Sequence, residues 1–275
     1  NKRAIYIGME NGYPIGNNLD NLELFFNAGV RYITLVHSSN NDLSDSATDQ
    51  NGPEHQGISA FGEKVITEMN RLGIIVDISH GSDDAFYDAI AISKAPIIAS
   101  HSNARSVFDH KRSMSDEMLK LVTENRGVVN VTPYPSYLRK KSENPERDAA
   151  ISLLLKDAKS PSDMTSSERA AMTQAINKIN QKFPNISATV SDLVDHIDRI
   201  AEVAGIDHVG IGSDFDGGGG VKRVFDASEV MNITIELVRR GYSEMEIEKI
   251  WSKNLMRVFR EVQAVAESMQ IEIQS

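Results

Sequence analysis

Short runs of β-branched residues alternate along this chain with longer stretches in which apolar positions recur every three or four residues. The alternation predicts βα units around a parallel sheet, because strands covered on both faces read as continuous apolar runs while connecting helices bury a single stripe. Six strands are predicted: Ala4–Met9, Arg31–Val36, Gly73–Ser79, Pro96–Ser100, Gly127–Thr132 and His208–Ser213. Helix ends are equally legible. Ser59 caps a helix with the apolar face Phe61, Val65, Ile66, Met69 and Leu72, and Gly73 ends it. Ser82, followed by Asp83 and Asp84, opens the next, and Ser115 opens a third that Gly127 stops. Further helices are predicted over Ser228–Arg240 and from Ser243, where Glu246 completes a capping box.

Arg139–Ile186 breaks this rhythm: it is charged, has no strand signal, and contains a predicted helix, Ser166–Lys182, stopping before Pro184. It reads as an insertion ahead of the helix Ser191–Ala204, either a lid over the functional site or a solvated surface helix.

Composition narrows the function classes. At 275 residues with 40% hydrophobic and 25% charged positions, the chain suits one large α/β domain or two ordinary ones. A net charge of −10 argues against a nucleic-acid partner, and Arg139-Lys140-Lys141 is too short a basic run to change that. No stretch reaches the ~20 apolar residues of a membrane helix, and Asn1–Tyr6 is too short for a signal peptide. With no cysteine, any metal must be held by histidine and carboxylate, and the redox compartment stays undetermined.

Five predicted strands end in a residue of metal-binding or catalytic type: Glu10, His37, His80, His101 and Asp214. Taken singly, a histidine after an apolar strand is more often a hydrogen-bonded structural residue. In a parallel barrel, however, all strand C-termini open on one face, so the five converge on one rim. His80 and His101 follow successive strands, which as neighbours lie ~4.8 Å apart and bring two imidazoles within reach of one ion. The other histidines do not fit the rim. His55 and His110 fall in loops, His208 starts a strand, and His196 with Asp198 is expected on a solvated helical face. Gly210-Ile211-Gly212 is too weak a glycine pattern for a dinucleotide loop.

A series of ordered motifs then resembles the membrane (renal) dipeptidase family of zinc peptidases. They are Gly8–Gly12 (GMENG), Gly29–Asn40 (GVRYITLVHSSN), Gly57–His80 (ending in VDISH), Ala95–Arg112 (APIIASHSNARSVFDHKR), Asp195–Gly217 (ending in GIGSDFDG) and Asn254–Phe259 (NLMRVF). The resemblance implies a TIM-type (β/α)8 barrel of the metal-dependent hydrolase type and hydrolysis of dipeptides. It implies two Zn2+ ions per complete site, bridged by Glu10, with His80 and His101 as ligands of the second. His37 matches the histidine that stabilises the tetrahedral intermediate, Asp214 the acid beside the nucleophilic water, Arg112 the arginine that binds the substrate carboxylate, and Tyr137 a substrate-side tyrosine. Without the resemblance, Arg112 reads as part of a solvated basic loop beside Lys111. A homodimer is compatible with the family, and a signal peptide upstream of Asn1 would place the protein in the periplasm or outside the cell.

Two strands of an eight-stranded barrel are missing from this reading, and so is the His-x-Asp pair that supplies the first zinc in the family. The chain is therefore expected to be a single barrel domain over residues 1–275, incomplete at its N-terminus. The alternatives are a degenerate member that binds metal without turnover, or a related barrel deacetylase or lactonase.

Overall fold

The computed structural model describes residues 5, 7–140, 143–156, 158–160, 163–183 and 188–274. Seven strands are formed: β1 (Ile7–Glu10), β2 (Val30–Thr34), β3 (Ile75–Asp77), β4 (Ile98–Ala104), β5 (Ser113–Met114), β6 (Val128–Val131) and β7 (Val209–Ile211). All pairings between them are parallel, in the order β1-β2-β3-β4-β6-β7, with β5 attached to β4. Neighbours in sequence are neighbours in the sheet, the singly wound order of a barrel wall, which brings every strand C-terminus to the same end.

The connecting helices are α1 (Asp20–Asn27), α2 (Ala60–Leu72), α3 (Asp83–Ile92), α4 (Asp116–Asn125), α5 (Pro135–Leu138), α6 (Pro145–Leu155), α7 (Ser166–Lys182), α8 (Val190–Ala204), α9 (Met231–Arg239), α10 (Glu244–Glu248) and α11 (Asn254–Gln274). The predicted caps form: Ser59, Ser82 and Ser115 each accept a backbone N–H three residues on, and Ser243 and Glu246 make the capping box. Gly73 closes α2 at φ +82°, a left-handed turn that favours glycine. Successive residues of β3 face different layers, as the two-residue period of a strand requires. Val76 joins Val65, Ile66 and Met69 of α2, while Ile75 joins Val258 and Val262 of α11.

Several expectations are corrected. β4 does not stop at Ser100 but continues to Ala104, so His101 lies inside a strand instead of after one. Ala99 and Ser102 pair with Val129 and Val131, three steps on β4 against two on β6. That extra residue is a bulge at Ser100–His101, the device that re-aims a side chain beside a site. β5 is a seventh strand, of only two residues, whose polar and apolar pattern gives no strand signal. His208 belongs to a 3-10 turn (Ile206–His208) and its Nδ1 bonds the Gly127 carbonyl at 2.8 Å. The helix expected over Ser228–Arg240 starts at Met231.

His196 is not on a solvated face. It is fully buried on the same side of α8 as Leu193, Ile197 and Ile200, because positions three and four apart share a helix face. Its Nδ1 accepts the Ala104 N–H at 3.1 Å and its Nε2 therefore donates to the Leu138 carbonyl at 3.0 Å, so both ring nitrogens are satisfied. Asp198 does keep partial exposure, bonded to Arg240 and Tyr242. The helix Ser166–Lys182 forms as expected, with a capping box at Thr165 and Glu168. The proposed stop at Pro184, the boundary at Ile186 and the start of the first strand at Ala4 lie outside the described residues.

Candidate metal centre

Glu10 closes β1, and His37, His80 and Asp214 each stand three residues past the ends of β2, β3 and β7. His80 and Asp214 have φ of +71° and +95°. A side chain is uncommon in that region of backbone space, so the surrounding structure must hold each residue there. The His80 carbonyl accepts the Ala47 N–H at 2.8 Å, and the Asp214 carbonyl accepts the Gly219 N–H at 2.6 Å. Cβ atoms at Gly217 or Gly219 would fall 2.0 Å and 2.6 Å from atoms of Asp214, so only glycine lets that loop close on it.

The side chains converge. Glu10 Oε1 is 3.2 Å from His80 Nε2, 3.2 Å from His101 Nε2 and 3.8 Å from His37 Nε2. The Nε2 atoms of His80 and His101 are 2.9 Å apart, with both rings buried. Among the described residues, Glu10, His80 and His101 are the one group of three ligand-type side chains with metal-binding geometry. The His101 imidazole, then that of His80, against its oxygen holds the Glu10 carboxyl far below the usual carboxylate range. Burial pulls His80 down to about 4, leaving a neutral ring with a lone pair to offer, and its Nδ1 is buried without a protein partner among the described residues. A carboxylate and two imidazoles fit a divalent metal cation.

Around this cluster lie the other expected residues. Burial raises the proton affinity of Asp214, opposed by His101 and reinforced by Glu10, which places its carboxyl within electrostatic reach of both. Arg112, expected in a solvated loop on its residues alone, is only 4% exposed, and its Nε has no hydrogen-bond partner among the described residues. Desolvation lowers its pKa. The Tyr137 ring lies 5.6 Å from its guanidinium carbon and stacks on Tyr134 at 4.3 Å. His110, set aside as a loop residue, lies against Tyr137 at 4.5 Å, and its Nδ1 accepts the Arg112 N–H. Two other residues escape the sequence reading. Ser100 Oγ lies 2.8 Å from His101 Nδ1 and donates to Asp77 Oδ2, and the signal that marks Asp77 is an acid inside an otherwise apolar strand.

The family model of membrane dipeptidases, peptidase family M19, matches residues 1–272. This chain belongs to that family. Dipeptidase tcpJ of Claviceps purpurea is 35% identical over 268 residues, covering 97% of this chain and 53% of the relative. An uncharacterized dipeptidase of Schizosaccharomyces pombe is 33% identical over 268 residues. The chain spans about half the length of these curated relatives. Among solved structures, the probable dipeptidase PvdM from Pseudomonas aeruginosa superposes with a TM-score of 0.81 at 35% identity, over 96% of this chain and 70% of that one. A metallopeptidase from Rhodobacter sphaeroides, liganded with a phosphinate mimic of the dipeptide L-Ala-D-Ala, superposes at 0.70 with 25% identity, over 94% of this chain and 63% of that one. The M19 likeness thus rests on sequence and fold together, and the parallel α/β architecture expected from the hydropathy pattern is the M19 one. Among the described residues no helix is long and apolar enough to cross a membrane.

Proposed function

We propose that this chain carries the metal-binding rim and the carboxylate-recognising side of a zinc-dependent dipeptidase. The observation that carries the reading is the convergence of Glu10, His80 and His101 beside a buried Arg112. Glu10, His80 and His101 would hold the ion. When bound, the ion supplies Lewis-acid charge that activates water and polarises the scissile carbonyl. Asp214, its proton affinity raised by burial, takes the proton of the attacking water and returns it to the leaving amine. His37, at the exposed side of the cluster, donates a hydrogen bond to the carbonyl oxygen as charge develops there. Arg112 offers its fork to the C-terminal carboxylate of the substrate, with Tyr137 against it. A charge held that close to the scissile bond selects dipeptides, the class mimicked by the ligand of the Rhodobacter metallopeptidase.

The alternative reading is one metal bound without turnover. Chelator-stripped protein titrated with Zn2+ and assayed on Gly- and Ala-containing dipeptides separates the two. Two ions per chain with chelator-sensitive hydrolysis is the expected result. One ion and no hydrolysis selects the second reading, and no bound ion overturns both.

A further inference from the structure

Asp77 is fully enclosed, and donors occupy both of its oxygens. Oδ1 accepts the backbone N–H groups of Ser79 and Ser100 at 3.1 and 2.8 Å. Oδ2 accepts the hydroxyls of Thr34 and Ser100, each at 2.6 Å. The Ser100 hydroxyl donates to Oδ2, so its hydrogen points there. The alternative acceptor, Ser79 Oγ, lies 3.4 Å away and carries no charge, so it does not compete. Ser100 Oγ then presents a lone pair to His101 Nδ1, 2.8 Å away. Only a protonated Nδ1 satisfies that contact. In the neutral ring this leaves Nε2 bare, and Nε2 is the atom facing Glu10 and His80. His80 has no such support, since its Nδ1 lacks a partner among the described residues.

We propose that Asp77, acting through Ser100, is a positioning residue that sets the tautomer of His101 and so preforms its ligand lone pair, while His80 is left to choose. The consequence for metal affinity rests on the metal-site reading above; the tautomer itself is a property of the metal-free chain. Asp77→Asn is the decisive substitution because it is isosteric. The two backbone N–H groups at Oδ1 oblige the amide oxygen to stay there, so the NH2 replaces Oδ2 and donates to Ser100. The Ser100 hydroxyl must then turn and donate to His101 Nδ1, which drives the ring proton to Nε2.

The test combines two measurements on the whole chain. Two-bond 1H–15N spectra of histidine-labelled, chelator-stripped protein, with His101 assigned against His101→Gln, report the tautomer. Competition with a chromophoric chelator reports Zn2+ affinity. Wild type and Ser100→Thr are expected with Nδ1–H at His101 and equal affinities. Asp77→Asn is expected with Nε2–H and an affinity about 10–100-fold lower, and Ser100→Ala with a mixture of tautomers and a smaller loss. Asp77→Asn or Ser100→Ala spectra that match wild type overturn the proposal, as does a wild-type ring protonated on Nε2. Absence of Zn2+ binding by wild type, with the predicted tautomers in place, overturns the metal reading and leaves the positioning chain standing.

Discussion

At the head of β3, Thr34 and Asp77 have no exposure, and their bonds reach across from β2 to β4. In α6 and α7, by contrast, no described side chain is buried. The bonds described for them are to one another or to the adjoining chain: Arg147 with Asn180, Asn144 with the Phe183 carbonyl, Lys159 with Glu168, and the Thr165 capping box. Buried polar groups satisfied from three strands leave one arrangement that keeps all their bonds, and that geometry is rigid. Local bonds on a solvated helix preserve the helix without fixing where it sits. We accordingly propose that the insertion expected over residues 139–186 lies, in its described residues, on the surface, and that the metal cluster does not depend on it.

The largest effect is expected at the cluster. His101→Ala removes one of the three proposed ligands and should lower Zn2+ affinity on the order of 1,000-fold, beyond the 10–100-fold typical of supporting residues. Replacing residues 143–183 with a flexible linker should leave affinity within about twofold, as for a site with no shared partners. Calorimetric titration of both variants checks this. A deletion that costs as much as the ligand would refute the division.

A smaller effect is expected on the buried side, at Arg112. Arg112→Met removes a charge that is enclosed with one nitrogen unsatisfied. Dipeptide kcat/KM should fall about 100-fold or more, because the substrate carboxylate loses its fork. Folding stability should stay level or rise by about 1 kcal/mol, since an apolar side chain of similar reach needs no partner. Thermal melts beside kinetics separate the two; a destabilised variant would mean that Arg112 is a structural residue first.

Glu10, His37, His80 and Asp214 are legible in the sequence for a local reason. Each ends or closely follows a short β-branched run, and a parallel sheet gathers the ends of such runs. Legibility fails where a partner is distant. His196 looks like a helical surface residue until the Ala104 N–H and the Leu138 carbonyl, 92 and 58 positions away, are brought to its two nitrogens. Asp77 looks like an interruption in GIIVDIS until the Thr34 and Ser100 hydroxyls arrive from 43 and 23 positions away. His101 reads as a strand end because Ser-His-Ser-Asn is polar, yet bulged pairing to β6 carries the strand through it. Polarity marks a loop only when water is the partner; here the partners are other strands.

The smallest expected effect compares two helix caps. Ser59 accepts the Gly62 N–H at 3.0 Å and opens α2, whose Val65, Ile66 and Met69 are buried against the sheet. Thr165 accepts the Glu168 N–H at 3.3 Å and opens α7, which buries no described side chain. Alanine at either position should cost its helix about 1 kcal/mol. For Ser59→Ala the loss is global, because α2 cannot leave the core without unfolding the sheet, and Tm should fall by about 2–4 °C. For Thr165→Ala the loss should stay local: amide exchange across residues 166–182 accelerates about fivefold while Tm holds. Equal falls in Tm would show that the insertion unfolds together with the barrel wall, and local bonding would then be no guide to independence in this chain.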